Sequence, residues 1–276
     1  MPELPTYIDL HIHTTKSDGL CSPYQIMEMA HELNLAAISI TDHDTVEGYL
    51  EAVIPAQQFG IELISGIEFS CTEDGQDIHV LGYFVDTSCE ALSEHLKNMR
   101  TARKRRFRQI VEVLNTQGIP LDADVLLEKL NNTSPGRLHI ARSLIEIGKV
   151  HTVQEAFQRY LGEQCPAYVS TAKISVSECI KLIHSIRGLA ILAHPGLYKN
   201  DTLITRFVGY GIDGIEAYHS NHTKTQVRKY LAMAQEKNLK ISGGSDFHAL
   251  NSHEPLSLGS LKLPYSILET LKQSIN

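Results

Sequence analysis

The chain has 276 residues, of which 42% are hydrophobic and 21% charged, and its net charge is -7. The length and composition are typical of one folded domain, or of a domain with an insertion, and argue against disorder. The negative net charge argues against wholesale coating of nucleic acid. It contains no run of roughly 18 apolar residues that would predict a membrane span, and its first residues lack the basic and apolar regions of a secretory signal. Five cysteines without CxxC spacing predict free thiols in the cytoplasm and disfavour a disulfide framework or a zinc finger.

The first part of the chain alternates between strand and helix patterns. Four short β-rich segments predict strands, at residues 7–13, 36–40, 61–68 and 78–85. Ser22 followed by Pro23 predicts a helix N-cap with proline at the first helical position. A second helix is predicted over 46–59, closed by Gly60, and Pro55 within it should kink or split it.

From residue 90 to residue 168 the pattern is almost entirely helical. Strand and helix patterns then alternate again, with helices predicted over 174–187, 223–237 and 265–274 and strands over 189–193, 212–218 and 239–243. Strands that are separated by helices form parallel β-α-β units. The sequence therefore predicts an α/β barrel built from residues 1–89 and 169–276, with a helical insertion domain at 90–168.

Histidine and carboxylate side chains lie close to the ends of these predicted strands. There are nine such residues, namely His11, His13, Asp18, His43, Glu68, His79, His194, Asp246 and His248. All except His79, which is near the start of its strand, lie at or just beyond a carboxyl end, where β/α barrels form their active sites. Any one of them alone could be an ordinary strand or turn residue, but independent turn residues need not all fall on one face of one barrel.

The residue types within this set are those of a centre with more than one metal ion. His11 and His13 are at i and i+2, so they point to the same side of a strand, and the two oxygens of Glu68 can bridge two cations. Imidazole and carboxylate without thiolate suit Mn, Fe or Zn in a catalytic site. Two or three such ions can polarise a phosphoryl oxygen and generate a bridging hydroxide, so the pattern predicts metal-assisted hydrolysis.

One of these histidines, His43, stands between two carboxylates, Asp42 and Asp44. Either of them could orient its imidazole. Asp44 or Thr45 could instead cap the following helix, and both uses can coexist.

Taken together, these motifs resemble those of the PHP (polymerase and histidinol phosphatase) family. The matching segments are Asp9-Leu-His11-Ile-His13, Thr41-Asp42-His43-Asp44, Gly66-Ile67-Glu68, His79, Leu192-Ala193-His194-Pro195-Gly196 and Gly244-Ser245-Asp246-Phe247-His248. They cover nearly the whole chain outside the insertion. The resemblance implies a distorted (βα)7 barrel with a trinuclear metal centre at the carboxyl ends of its strands.

Residue by residue, the resemblance implies three ion-binding groups, two of which share Glu68 as a bridge. One ion would be held by His11, His13, Glu68 and Asp246. The other two would be held by Asp18, His43 and His248, and by Glu68, His79 and His194. Loss of Glu68 or Asp246 should then abolish catalysis. The expected cofactor is two or three divalent ions, with Mn ahead of Fe and Zn.

Two features resemble one branch of that family, which acts on nucleotide and RNA phosphates. Many family members have His where Asp18 stands here, and the Asp form is similar to this branch. The segment Ser134-Pro-Gly-Arg-Leu-His-Ile-Ala-Arg142 is similar to its GRPHIAR-like signature, with Leu138 in place of the usual proline. Members of the branch remove the 3′-phosphate from nucleoside 3′,5′-bisphosphates, and related members degrade short RNA from the 5′ end. The resemblance therefore implies a small nucleotide or a short 5′-phosphorylated RNA as substrate.

The insertion carries a signal of its own for phosphate binding. Basic side chains are dense and acids are absent over residues 97–108, and such a helix can attract phosphate groups. Arg103 and Arg106 in this run, together with Arg137 and His139 next to Gly136, are the predicted substrate-binding residues. The alternative is a solvated basic helix face.

The leading functional hypothesis is a metal-dependent phosphoesterase in which His219 or His222, just beyond a predicted strand, protonates the leaving alkoxide as general acid. These two histidines could equally belong to a polar loop beside the site. The first alternative function is a histidinol-phosphatase-like phosphomonoesterase, which needs no basic insertion. The second is a metal-binding module without turnover. Neither a membrane nor an obligate protein partner is expected.

Overall fold

The computed structural model describes residues 6–130, 133–162, 164–169, 173–198, 200–249 and 257–275. The chain divides into two compact units, which we call the barrel unit (residues 1–93 and 173–276) and the helical unit (residues 94–172). The insertion predicted at 90–168 begins and ends four residues earlier than this division. At the first boundary the difference arises because a single helix, Glu90–Thr116, runs across it.

Among its described residues, the barrel unit contains nine strands in one sheet. They are β1 (Tyr7–Ile12), β2 (Leu35–Ile40), β3 (Glu62–Glu73), β4 (Gln76–Tyr83), β5 (Ile174–Ser175), β6 (Leu189–Leu192), β7 (Gly214–His219), β8 (Lys240–Gly244) and β9 (Leu263–Pro264). Seven of them follow one another in the order β8-β7-β6-β4-β3-β2-β1, while the short β5 and β9 pair with β3 and β1. The amide of His13 donates to the carbonyl of Phe247 at 2.9 Å, and the amide of Asp246 donates to the carbonyl of His11 at 2.9 Å. These bonds join β1 to the end of β8 and nearly close the sheet, which confirms the predicted seven-stranded barrel.

Strand β4 runs antiparallel to both of its neighbours, β3 and β6. It is joined to β3 by a two-residue turn, Asp74-Gly75, in which both residues have positive φ angles, 49° and 79°. Such Asp-Gly turns match the right-handed twist of a hairpin. The prediction that strands separated by helices are parallel is therefore wrong for β4 and β6. Because β4 is reversed, its beginning lies at the same end of the barrel as the carboxyl ends of the other strands, and this is where His79 is located.

The helices are α1 (Pro23–Glu32), α2 (Glu47–Phe59), α3 (Glu90–Thr116), α4 (Ala123–Lys129), α5 (Arg137–Glu146), α6 (Val153–Ala156), α7 (Val176–Ser185), α8 (Thr202–Tyr210), α9 (Lys224–Glu236) and α10 (Ser266–Lys272). Helix α1 begins as predicted, with Ser22 as N-cap and Pro23 in its first turn. Helix α2 continues through Pro55 instead of splitting there. The carbonyl that loses its partner belongs to Glu51, an exposed residue, so water can satisfy it. Helix α8 has no counterpart among the sequence predictions.

Apolar residues fill the interior of the barrel. Buried side chains from β1, β2, β3, β4 and β6 form one cluster with α10, and since it draws on so many strands it must lie inside the sheet. The hydroxyl of Tyr83 donates to the carbonyl of Leu10 at 2.9 Å and lies 3.0 Å from Oγ of Ser242, so it links three strands. A second cluster packs α1 and α2 against β1 and β2. These contacts hold the strand ends, and the side chains on them, in fixed positions.

The helical unit contains α3 from residue 94 onward, α4, α5 and α6, and α6 continues into a π-helical segment, Phe157–Leu161. Helices α3, α4 and α5 surround a cavity of about 140 Å³ that is lined by Phe107, Leu126 and Ser143. Within the described ranges, no helix combines the length and the apolar character that crossing a membrane requires.

Candidate metal centre

The side chains of all nine predicted metal ligands meet at one end of the barrel unit, where they form a connected cluster. His11 and His13, at the end of β1, are fully buried, and Glu68, in the middle of β3, is 1% exposed. The donor atoms of all but His194 fall into overlapping groups in which every atom lies within 4.8 Å of the others, and Nε2 of His194 lies 3.0 Å from Oε1 of Glu68. The sequence therefore identified which side chains share this end of the barrel.

The spacing of the donor atoms around Glu68 fits a bound ion. The Nε2 atoms of His11 and His13 lie 3.1 Å apart. Oε2 of Glu68 is 3.4 Å from Nε2 of His11 and 3.2 Å from Nε2 of His13. Oδ1 of Asp246 is 3.3 Å from Nε2 of His11 and 3.2 Å from Nε2 of His13. Two ligands bound at roughly 2.1 Å to one ion lie roughly 3.0 Å apart at a right angle and roughly 3.4 Å apart at a tetrahedral angle. Each carboxylate thus has the spacing of a fellow ligand from both histidines, although Glu68 and Asp246 fall in separate groups of donor atoms.

Two histidines have their tautomers fixed by neighbouring oxygens. Nδ1 of His11 lies 2.9 Å from Oε1 of Glu216, and Nδ1 of His248 lies 2.8 Å from the carbonyl of Asp246. Because a carbonyl or an ionised carboxylate can only accept, Nδ1 carries the hydrogen in both rings. In the neutral ring the lone pair is then on Nε2, which faces the cluster in each case. This is the arrangement that metal-binding histidines require.

A second group forms around Asp18, in the loop after β1. Nε2 of His248 lies 3.2 Å from Oδ1 of Asp18, Nε2 of His43 lies 3.9 Å from Oδ2, and Nδ1 of His13 lies 3.7 Å from Oδ1. The group implied by the resemblance, Asp18, His43 and His248, is therefore together in space, and His13 joins it.

A third group forms around the other oxygen of Glu68. Oε1 lies 2.8 Å from Nδ1 of His79 and 3.0 Å from Nε2 of His194, while Nδ1 of His43 is 3.1 Å from Oε2. The two oxygens of Glu68 thus face different sets of histidines. This is the geometry that a bridging carboxylate needs.

The charge states of Glu68, Asp246 and His43 favour cation binding. Burial acts to raise the pKa of Glu68, but His43, His79 and His11 outweigh it, and the pKa lies well below its usual value. The pKa of Asp246 is also held well below its usual value, because the neighbouring histidines outweigh the effect of burial. Burial lowers the pKa of His43 to about 3, so its ring is neutral at pH 7. Ionised carboxylates and a neutral imidazole are the forms that bind metals.

Asp42 and Asp44 have different contacts around His43. Asp42 accepts hydrogen bonds from the amide and hydroxyl of Thr14, both at 2.7 Å, and from the hydroxyl of Ser17 at 2.5 Å. It therefore anchors the loop that carries Asp18. Asp44 accepts a hydrogen bond from the amide of Ser70 at 2.8 Å, and the hydroxyl of Thr45 accepts one from the amide of Glu47 in the first turn of α2, at 3.2 Å.

His219 and His222, the two predicted general acids, have different environments. Nδ1 of His219 accepts from the amide of Asn221 at 3.1 Å, so the hydrogen is on Nε2, which lies 3.3 Å from Oδ2 of Asp246. Nδ1 of His222 donates to the carbonyl of Ala217 at 3.1 Å, and its Nε2 accepts from the amide of Gly196 at 3.1 Å. His219 therefore faces the cluster with an N–H group, whereas both ring nitrogens of His222 bind backbone groups.

The predicted substrate-binding residues lie in the helical unit and contact its backbone. Guanidinium groups of three arginines donate to carbonyls: Arg103 to Pro135 at 3.2 Å, Arg106 to Val169 at 2.8 Å and Arg137 to Leu161 at 3.2 Å. Those of Arg106 and Arg137 also lie 5.7 Å and 5.6 Å from the ring centre of Tyr168. Nδ1 of His139 accepts from the amide of Gly136 at 3.1 Å. The structure thus brings Arg106 and Arg137 together around one aromatic ring, a concentration of positive charge inside this unit.

Two residues near the cluster were missed from the sequence, Glu216 and Tyr198. Glu216 is fully buried on β7. The hydroxyl of Tyr198 accepts a hydrogen bond from the amide of His79 at 2.9 Å. A signal for Glu216 was present, because Gly214-Ile215-Glu216 repeats the pattern of Gly66-Ile67-Glu68, and a carboxylate within an apolar strand is costly unless it has partners.

A cluster of imidazoles and carboxylates at the carboxyl ends of the strands of a β/α barrel is the site of a metal-dependent hydrolase. Comparison with known proteins specifies the kind of hydrolase. The family model of the PHP domain matches residues 9–184, and the chain therefore belongs to the PHP family. It is a metal-dependent phosphoesterase.

Among its relatives, a 5′-3′ exoribonuclease of Haemophilus influenzae is 36% identical over 245 residues, covering 87% of this chain and 89% of the relative. A 3′,5′-nucleoside bisphosphate phosphatase of Chromobacterium violaceum is 34% identical over 248 residues, covering 88% of this chain and 87% of the relative. A crystal structure from Bifidobacterium adolescentis, provisionally called a metal-dependent phosphoesterase, has a TM-score of 0.88 at 30% identity and covers 97% of this chain and 96% of its own.

Proposed function

We propose that this chain hydrolyses phosphate esters of nucleotides, namely the 3′-phosphate of nucleoside 3′,5′-bisphosphates, short 5′-phosphorylated RNA, or both. The observation that carries the proposal is the convergence of imidazoles and carboxylates on the two oxygens of Glu68. The choice of substrate is supported by relatives that are named for these two activities. It is also supported by the arginines of the helical unit, since guanidinium groups suit phosphate.

The proposed cofactor is two or three divalent ions, most readily manganese, in a trinuclear centre. Donor atoms form four overlapping groups, and they are nitrogen and oxygen without thiolate, which suits Mn, Fe or Zn. Ions bound there supply Lewis-acid polarisation of the phosphoryl group and an activated water. The proposed ligands are the nine residues of the cluster, with Glu68 bridging between groups.

The proposed roles of the remaining site residues follow from their hydrogen bonds. Among the two histidines beyond β7, His219 is the better candidate for donating a proton to the leaving oxygen, because its Nε2 hydrogen faces Asp246. His222 serves as a backbone bridge between the loop after β7 and the loop after β6. In the helical unit, Arg103, Arg106, Arg137 and His139 are the proposed contacts to a substrate phosphate.

The proposed location is the cytoplasm, where nucleotide substrates are found. All five cysteines are free thiols, as proteins of a reducing compartment usually have.

The test is phosphate release from adenosine 3′,5′-bisphosphate in the presence of Mn²⁺, beside histidinol phosphate and a 5′-phosphorylated short RNA. Release from the bisphosphate, or stepwise shortening of the RNA, is expected. The activity should disappear with a chelator and return with Mn²⁺. Turnover of histidinol phosphate alone would contradict the proposed substrate class, and hydrolysis that resists the chelator would contradict the proposed cofactor.

A further inference from the structure

Glu216 contacts two of the proposed metal ligands at once. It lies on β7 with its side chain fully buried. Its Oε1 is 2.9 Å from Nδ1 of His11, which comes from β1. Its Oε2 accepts a hydrogen bond of 2.8 Å from the backbone amide of His194, which follows β6. One carboxylate therefore connects two ligands from different strands.

The contact with His11 determines which ring nitrogen can bind a cation. Because Glu216 holds the hydrogen on Nδ1, the neutral ring of His11 has its lone pair on Nε2, next to Glu68 and Asp246. A carboxylate that accepts from a metal-binding imidazole also makes that imidazole a better electron donor.

The contact with His194 supports a strained backbone. His194 has φ 31° and ψ 57°, in the left-handed region, which residues other than glycine seldom adopt. The bond from its amide to Glu216 holds this conformation, in which Nε2 of His194 lies 3.0 Å from Oε1 of Glu68.

We propose that Glu216 is a positioning residue which sets the ring of His11 and the backbone of His194, and thereby organises two of the ion-binding groups together. The inference rests on the proposed metal-dependent function. Both partners of Glu216 are N–H donors, and only a carboxylate offers an acceptor oxygen to each. A glutamine has one oxygen and one NH2 group, so one of the two N–H groups would face another donor.

The chain contains a control residue next to the same strand. Asp213, immediately before β7, accepts from Nε2 of His184 at 2.8 Å and from the amide of Ala190 at 2.7 Å. This repeats the pairing of one imidazole with one backbone amide. Asp213 stands at the opposite end of β7 from the metal ligands, and Asp213→Asn removes the same charge as Glu216→Gln.

The experiment is a titration of each purified variant with Mn²⁺ in competition with a chelating indicator, without substrate. Glu216→Gln is expected to weaken Mn²⁺ binding by about 10- to 100-fold, as for other carboxylates behind a metal-binding histidine, while Asp213→Asn stays close to wild type. Glu216→Asp keeps the charge but shortens the reach, and it should weaken binding as well. Wild-type affinity in Glu216→Gln, or an equal loss in Asp213→Asn, would overturn the proposal. Wild-type affinity in Glu216→Asp would show that charge alone matters, and would overturn it too.

A second measurement applies where the variants do not fold. In the Zn²⁺-loaded wild-type protein, nuclear magnetic resonance should show a protected imidazole N–H of His11 at Nδ1. An Nε2–H tautomer would reject the positioning role. These readouts need no turnover, so a protein that binds Mn²⁺ but does not hydrolyse nucleotides would reject the proposed substrates and leave the role of Glu216 standing.

Discussion

Oε1 of Glu68 lies 2.8 Å from Nδ1 of His79, although the two residues belong to strands that run in opposite directions. In the ladder, His79 is paired with Ser70, two residues beyond Glu68 on β3. The Asp74-Gly75 turn reverses the chain and so returns His79 to the end of the barrel that Glu68 faces. Without this reversal, a residue near the start of a strand would lie far from the metal centre.

Replacement of Glu68 by glutamine should abolish turnover and lower the number of bound ions. The side chain would lose its charge and one of the two oxygens that face separate groups of histidines, so the loss should exceed the roughly 100-fold seen for residues that only orient ligands. Metal content and phosphate release check this. Glu62→Gln is the control, since Glu62 stands at the other end of β3, where it contacts Tyr265 and Lys272. Full activity in Glu68→Gln would contradict the metal assignment, and Asp246→Asn should behave like Glu68→Gln.

Arg137→Ala should raise KM for a nucleoside bisphosphate and leave kcat nearly unchanged. Loss of a charge-assisted hydrogen bond to phosphate corresponds to about 10- to 100-fold in KM. Steady-state kinetics measure it, and thermal unfolding shows whether loss of the contacts with Leu161 and Tyr168 destabilises the protein. Arg108→Ala is the control, because Arg108 is exposed and paired with Asp124. An unchanged KM in Arg137→Ala would exclude this arginine as a phosphate contact.

The metal-free protein should lose stability in alkaline solution because of His13. Burial acts to lower the pKa of His13, but Asp246 and Glu68 outweigh it and raise the pKa from 6.5 to about 10. A raised pKa in the folded state contributes stability that is fully present at a pH below about 6.5, the pKa in the unfolded state, and is lost as the pH rises through about 10. The free energy of unfolding, measured with urea at pH 6, 8 and 10, should therefore fall more steeply in the wild type than in His13→Asn. Equal slopes would reject the raised pKa.

Gly75→Ala should destabilise the fold. Gly75 has φ 79°, and a side chain in this left-handed conformation costs about 1–2 kcal/mol. Gly209→Ala is a suitable control, because Gly209 lies within α8 and a Cβ there meets no atom within 4 Å. That substitution should leave stability unchanged or increase it by about 0.5–1 kcal/mol. Denaturant unfolding measures both, and an unchanged stability in Gly75→Ala would contradict the turn geometry.

Much of the barrel was predictable from local patterns. Ser22 capping α1 and the apolar runs of β2 and β6 are local features, since each depends on a few neighbouring residues. The nine candidate ligands were identifiable for a related reason. A histidine or carboxylate at the end of an apolar strand has few favourable environments other than a polar site.

Other features depended on contacts between distant residues. The direction of β4 was decided by pairing with β3 and β6, and the Asp74-Gly75 turn that permits it was overlooked. Continuation of α2 through Pro55 also went against the local expectation.

The sequence by itself determined the kind of barrel, the family and the side chains that meet at the end of the barrel. It could do so because strand periodicity and residue chemistry depend only on residues that are close together in the chain. Only the tertiary structure decided that Glu216 holds His11, 205 positions away, and that His222 binds the backbone of Gly196. Those choices follow from closure of the sheet, which brings together donors and acceptors that no local pattern relates to one another.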